Sequence, residues 1–425
     1  MFSKKVSLIA GILGLTQVSY SQYQNIEDYK SDYNAGKILN TITTAVPFLG
    51  ISPDARAGGM GDLGVATEAD ANSMHWNLSK IAFGERRTNI ALSYSPWLRN
   101  LIPDVNLAYL SFYQKIGKQN RMAFSGSLRY FSLGNIQFTD VFGQPIGNYN
   151  PNELAIDAGY AMKLSDKLSM AVAFRFTHSN LTLGQFVQGA ATFPGNAGSG
   201  DISLFYENKD KTLFKMPITY RFGAAISNLG SKIRYSETSR ADFLPMSLRL
   251  GPSFQLAFDD YNTLMWSFEI SKLLAPTMPI YATDSTGQRL KDPAGNDILL
   301  GGMDPGRGVM DAMITSFGDA PGGLKEEFHE YMIATGLEYW YAKQFAVRAG
   351  YFNEAKQKGN RKYFTLGLGV RYSAFGLDVS YLIPVVQRNP LENTLRFTLS
   401  FAFDRLQNNG KDNENPLPGR KKKNS

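Results

Sequence analysis

The chain has 425 residues and a formal net charge of +7, with hydrophobic residues at 43% and charged residues at 19%. That charged fraction lies below the roughly 25% usual for soluble domains, and 28 Phe, 22 Tyr and 40 Gly speak against both a disordered chain and a helical solenoid. Cysteine is absent, which removes disulfides, thiolate metal ligands and cysteine nucleophiles, and the basic residues are too scattered to form a nucleic-acid stripe.

The N-terminus reads as an export signal. Lys4 and Lys5 precede the apolar run Val6–Leu15, and Ser19-Tyr20-Ser21 puts small residues where a signal peptidase reads. Cleavage is expected after Ser21, giving a signal peptide over 1–21 and Gln22 as the new N-terminus. No later run of about 18 apolar residues could cross a membrane as a helix. An exported chain of this kind is either soluble or a membrane-spanning β-barrel.

Residues 22–87 precede the first strand pattern. Tyr23–Lys37 is polar and tyrosine-rich, and the text from Ile42 onward, ITTAVPFLGISPDARAGGMGDLGVATEADANSMHWNLSKIAF, is dense in Ala and Gly. Small side chains let backbones pack closely, so this segment is expected to fold into a barrel mouth as a hatch. Its candidate residues are Asp54, Arg56, Gly59, Gly61, Gly64, Trp76 and Asn77. Gly59-Met60-Gly61-Asp62-Leu63-Gly64 also fits GxGxxG, but Ser52–Ala57 before it contains proline and is no strand, so no nucleotide cofactor is expected.

From residue 88 the text alternates. Thr394–Phe403 reads TLRFTLSFAF, with Leu395, Phe397, Leu399, Phe401 and Phe403 on one face and Arg396, Thr398, Ser400 and Ala402 on the other. Strands are predicted near 88–95, 105–115, 121–131, 153–163, 167–178, 215–227, 231–237, 245–258, 262–273, 331–341, 344–352, 362–372, 375–382 and 394–403. About fourteen strands joined alternately by short turns and longer loops is the outer-membrane pattern. The fold class is therefore all-β, a transmembrane antiparallel barrel over 88–403 with an N-terminal hatch-like segment and a polar basic tail over 404–425. Trp97, Trp266 and Trp340 read as an aromatic girdle.

Charges fall on the small-residue face. Arg129, Arg175, Arg221, Arg249, Arg348, Arg371 and Arg396, with Glu153, Asp157, Glu269, Glu338 and Asp378, are expected to point into the lumen and pair, since ionised groups facing lipid cost a few kcal/mol each. Loops 179–214 and 274–330 are long enough to bind partners. In the second, Met303, Arg307, Met310 and Met313 lie among glycines and are candidates for docking, methionine being able to re-pack against varied surfaces. Glu326, Glu327 and His329 read as solvated loop charges, His178 as an interface residue, and the aspartates of loop 274–330 lack EF-hand spacing. No catalytic residue, metal site or cofactor is expected.

The block from Ile42 to Asn77, together with SLRYFSLGNIQ and LSMAVAFRF, resembles the PorV family, outer-membrane shuttle proteins of the type IX secretion system of Bacteroidota. A wider resemblance is to FadL-type barrels, although Asn77-Leu78-Ser79 stands here where that group has an Asn-Pro-Ala-like step. The resemblance implies a barrel in the outer-membrane lipid that receives cargo by its C-terminal signal domains from the translocon and carries it to the surface sortase and attachment complex. The alternative is a FadL-like transporter of fatty acids or other hydrophobic ligands. Seven inward arginines favour the first over the greasy conduit.

Overall fold

Alternation becomes wall because successive strand side chains point to opposite faces. The structure, a computed structural model, describes residues 23, 25–97, 104–117, 119–139, 142–187, 190–284, 286–385 and 394–405. The expected signal peptide and the tail beyond Arg405 lie outside them.

Fourteen strands form one closed antiparallel sheet: β1 (Arg86–Pro96), β2 (Asn106–Ile116), β3 (Met122–Ser132), β4 (Asn152–Lys163), β5 (Leu168–Asn180), β6 (Gly195–Leu213), β7 (Met216–Gly230), β8 (Ser247–Ala257), β9 (Asn262–Leu273), β10 (Tyr331–Tyr341), β11 (Phe345–Asn353), β12 (Lys362–Tyr372), β13 (Phe375–Pro384) and β14 (Leu395–Arg405). Each pairs with its chain neighbours, and β14 closes on β1 with Leu399 opposite Leu92 and Phe401 opposite Ile90. Closure removes every sheet edge. Leu92, Phe174, Phe222, Leu368 and Leu399 are exposed on the outer face, whereas Ser93, Ala171, Arg175, Arg221 and Thr398 are buried inside. Among the described residues no helix is long and apolar enough to cross a membrane; the strands do so.

The connections alternate strictly. Short turns occupy 117–121, 164–167, 214–215, 258–261, 342–344 and 373–374, and longer segments occupy 97–105, 133–151, 181–194, 231–246, 274–330, 354–361 and 385–394. Phe214 and Lys215 both have positive φ, as a two-residue type I′ hairpin requires.

Fourteen strands result, but not the predicted fourteen. Residues 231–237 form no barrel strand; Ile233 makes one bridge to Asp242 and Ser236 one to Thr192. The missing strand is β6, which occupies most of what reads as loop 179–214. Its first half, GNAGSGD, has no apolar alternation to read. The ring of Phe174 on β5 instead covers Gly198, 3.6 Å from where a Cβ would stand. Asn228–Gly230, which lies between the predicted strands 215–227 and 231–237, is the end of β7. Trp266 is exposed on the outer face, but Trp97 packs against the cluster around Phe48 and Phe131. Trp340 lies under the inward guanidinium groups of Arg348 and Arg371, each 5.4 Å from its ring. Those two tryptophans are interior, not girdle.

Residues 25–85 run through the lumen from the long-loop mouth to the short-turn end. At the mouth lies α1 (Ile26–Asn34), where Tyr29 and Tyr33 are buried. Asn25 caps it, its side chain accepting from the Asp28 N–H at 2.9 Å. Phe48 and Leu49 pack on Val105, Leu107 and Phe131. Below them come α2 (Ala55–Gly58), against β12, β13 and β14, and α3 (Ser73–Trp76). The 3₁₀ turn Leu78–Phe83 lies against β2 to β6, and at the far end Lys115 donates to the Gly84 carbonyl at 2.7 Å.

Candidate functional site

Hatch and wall are joined by buried charge. Asp54 caps α2 by accepting from the Ala57 N–H at 2.9 Å, and its other oxygen accepts from Trp76 Nε1 at 2.7 Å. Arg56 projects from α2 onto β10, where Glu338 takes its Nε and Nη2 at 2.9 and 2.7 Å. Such a two-pronged pair fixes orientation as well as energy. The chain of alternating sign then continues around the wall. Glu338 also accepts from Arg348 Nε at 2.6 Å, Arg348 donates to Asp378 at 2.9 Å, and Arg371 donates to the other Asp378 oxygen at 2.6 Å. On the hatch side Arg56 reaches Asp70 at 3.0 Å.

Other strands grip the hatch backbone. The N–H groups of Gly64 and Val65 both donate to Glu269 at 2.8 Å. Arg249 stands 4.0 Å from Glu269 and over the Trp76 ring at 4.8 Å. Arg396 holds Asp62 at 2.8 Å, and Tyr363 donates to the same carboxylate at 2.6 Å. Asn77 donates to the Val65 carbonyl at 2.9 Å and to the Leu204 carbonyl of β6 at 3.0 Å. Gly61 has φ +80, and a Cβ there would come within 2.8 Å of the Tyr351 backbone oxygen; only glycine fits. Gly59 touches Gly367 backbone to backbone, and Gly64 makes room for the Trp76 ring.

The opposite wall carries a second group. Arg175 donates to Asp157 at 2.5 Å and lies 3.2 Å from Asp201. Arg129 donates to the carbonyls of Phe48 and Leu49 at 3.2 and 2.9 Å, and its Nη2 meets His75 Nδ1 at 2.7 Å. Arg221 pairs with Glu207 at 2.7 Å. Glu153 has no arginine partner among its described contacts; it accepts from Ser179 at 2.7 Å. The free space in the seam beside His75, Trp76 and Asp201 is about 10 Å³, close to one water. Asp62, Asp70, Asp201 and Glu207 belong to these pairs, and the buried Lys80 donates to the Gly64 carbonyl at 2.7 Å, yet their sequence surroundings do not distinguish them from solvated charge. Only the small, strand-facing context of Asp201 and Glu207 in β6 could have marked them.

A third cluster closes the mouth, and here Glu326 and Glu327 are not solvated. Loop 274–330 carries two short helices, α4 (Val309–Thr315) and α5 (Leu324–His329), and both glutamates are buried on α5. Glu326 accepts from Tyr29 and Asn40 at 3.0 Å each and from Lys358 at 2.8 Å. Glu330 accepts from Lys358 at 2.9 Å, from Thr277 at 2.5 Å and from Lys272, which also donates to Glu327 at 2.8 Å. Burial pushes the Glu327 carboxyl up. Burial acts on Glu330 in the same direction, but Lys358 and Lys272 outweigh it and hold that group low. Asp319 pairs with Arg307 and is pushed up to about 6 by burial. His329 Nδ1 meets the Tyr33 hydroxyl at 3.1 Å, and burial lowers its pKa. Beside this cluster is a cleft of about 190 Å³ lined by Ile42, Leu273, Met332, Lys358 and Arg361 among others.

The candidate docking residues divide. Met303 and Met310 are exposed on loop 274–330, whereas Arg307 is tied to Asp319 and Met313 packs with Val309 against Leu274 and Ala275. The hatch and wall charges meet one another; these four do not converge on a single point.

No curated protein sequence matches the chain significantly. Among solved structures it is similar to the toluene transporter TodX of Pseudomonas putida, with 12% identity and a TM-score of 0.43 over 81% of this chain and 96% of that one. It is similar also to the toluene transporter TbuX of Ralstonia pickettii, with 11% identity and a TM-score of 0.41 over 83% and 98%. A FadL homologue of Pseudomonas aeruginosa matches at 9% identity and a TM-score of 0.41 over 87% and 100%. Residues 34–280, which span the hatch beyond α1 and the first nine strands and exceed half of the chain, match the family described as Type IX secretion system protein PorV. The chain therefore belongs to the PorV family and is an outer-membrane β-barrel component of the type IX secretion system.

Proposed function

We propose that this barrel binds the C-terminal signal domains of exported cargo and carries them from the translocon to the cell-surface sortase and attachment complex. The observation that carries the reading is the family match over residues 34–280. The interior supports it. A hatch pinned to several strands by Arg56–Glu338, Arg396–Asp62 and the Glu269 contacts makes moving a ligand through the lumen costly, because breaking one buried pair costs about 3–5 kcal/mol. Recognition then falls to the long connections at the mouth, and loop 274–330 is the longest of them. The conduit reading, a transporter of fatty acids or other hydrophobic ligands, has the 190 Å³ cleft in its favour. That volume falls short of the ~300 Å³ at which drug-sized sites begin. Affinity purification from membranes followed by mass spectrometry tests the proposal. Cargo signal domains together with the translocon and attachment proteins are expected; bound lipid with no cargo would overturn it.

A further inference from the structure

The register places Ile226, Leu248, Lys272 and Tyr331 side by side across β7, β8, β9 and β10. By alternation all four belong to the outer face, one layer above Leu250, Ile270 and Ile333, which are exposed there. Yet Lys272 is 1% exposed. It is covered from outside: Phe317 and Tyr331 present their rings 5.7 and 5.3 Å from its ammonium, while Glu327 and Glu330 neutralise it. Ile226 and Leu248 pack into one apolar cluster with Val309 and Met313 of α4 (Val309–Thr315), and the ring of Phe328 on α5 lies tilted beside Tyr331 at 6.4 Å. Loop 274–330 thus folds over the rim and straps the top outer row of four strands.

The strap's far side is apolar. Met310 and Ile314 lie four residues apart on α4, Leu324 and Phe328 four apart on α5, and Phe317 stands between the helices. Ile314, Leu324 and Phe328 are 66%, 77% and 71% exposed. The inward side carries Glu326, Glu327 and Ala312, all buried. Residues four apart share a helix face, and a short amphipathic element at the edge of a bilayer buries its apolar face at the headgroup–acyl boundary. We propose that α4 and α5 form a collar seated in the outer leaflet, with Met310, Ile314, Phe317, Leu324 and Phe328 against lipid acyl chains. The occupant follows from continuity: this face extends the barrel's lipid-facing belt upward by one layer, over the row the strap covers. The collar anchors the base of the longest loop to the bilayer, while Ile280 and Leu300 of its hairpin, 280–301, pack on Tyr29 and Tyr33 at the mouth and Gln288 is exposed.

The absence of native cysteine permits a direct test. Full-length Ile314→Cys and Phe328→Cys proteins carrying a bimane label are reconstituted into phosphatidylcholine vesicles, with Ile333→Cys as the belt reference and Gln288→Cys as the water reference. Lipid with a nitroxide near the top of its acyl chain should quench both strap probes to a degree comparable with Ile333→Cys. Aqueous iodide should quench them far less than Gln288→Cys. Strong iodide quenching with weak lipid quenching would place this face in water, where another protein could dock, and would overturn the collar. Weak quenching by both would mean burial against protein and would overturn it equally. Heat-modifiable gel mobility establishes that each barrel is assembled, and should Ile314→Cys fail it, Met310→Cys and Leu324→Cys report the same face.

Discussion

Truncating Glu338 to alanine removes the acceptor that joins hatch to wall. Glu338 takes three charge-assisted hydrogen bonds, two from Arg56 at 2.9 and 2.7 Å and one from Arg348 at 2.6 Å. At about 1.5–3 kcal/mol each, their plain sum would overstate the loss, because Arg56 keeps Asp70 and Arg348 keeps Asp378. The relevant scale is that of a buried pair broken from one side, about 3–5 kcal/mol. A loss of about 4 kcal/mol lowers the folding constant by nearly a thousandfold, at 1.4 kcal/mol per tenfold. Urea titration of the reconstituted barrel, read by heat-modifiable gel mobility, measures the change. Glu338→Gln, which keeps an acceptor and loses the charge, should fall between wild type and alanine. Asp166→Ala, which removes the solvent-exposed partner of Arg121 at 3.2 Å, should cost less than ~1 kcal/mol. Equal losses for Glu338→Ala and Asp166→Ala would refute the view that buried pairing holds the hatch.

Leu399→Arg should destabilise the barrel by about 2–4 kcal/mol, because an arginine in the lipid belt is costly and Leu399 sits between Leu92 and Leu377 on the outer face; a cost below ~0.5 kcal/mol in the same titration would contradict that face. Burial holds the Asp319 pKa at about 6, above its ordinary value, so on acidification from about pH 7 to about pH 5 the folded loop gains a proton that the unfolded loop does not, and is stabilised. His329, lowered by burial, opposes this, so the readout is the protease resistance of loop 274–330 in wild type relative to Asp319→Asn, which should rise on acidification; a flat ratio would refute it. Replacing 280–325 by a short Gly-Ser linker should leave an inserted, heat-modifiable barrel, since closure runs through the strands, and should sharply reduce cargo at the cell surface; wild-type cargo levels would remove this loop from recognition.

The barrel was legible wherever apolar and small residues alternate, because lipid on one side and a packed lumen on the other impose period two on both faces. Legibility failed where that contrast vanished. The glycine-rich half of β6 takes its outer cover from Phe174, so its own residues need not be apolar, while Ile233 and Tyr235 alternate because they pack on the cluster around Phe48 and Phe131. The two errors cancel in the strand count. Trp340 shows the limit in the other direction: it sits between the outward Tyr339 and Tyr341, so parity sends it inward, although tryptophan near a strand end suggests the interface. Which arginine meets which carboxylate could not be read at all. Arg56 and Glu338 are 282 residues apart, and their meeting depends on the barrel's register and on the path of the hatch.

Locking the hatch in place asks whether cargo handling needs an open lumen. A Cβ on Gly58 would stand 2.9 Å from Ser380 Oγ and 2.5 Å from Arg396 Nη1, so Gly58→Cys on α2 shifts that guanidinium and is set to bond with Ser380→Cys on β13; the reduced double variant carries the same shift and is the reference. With that bond formed, cargo is expected still to reach the cell surface at the level of the reduced protein, because recognition runs over the loops and the hatch stays in place. Cargo export that stops when the disulfide forms and returns on reduction would show that the lumen must open, and would contradict it.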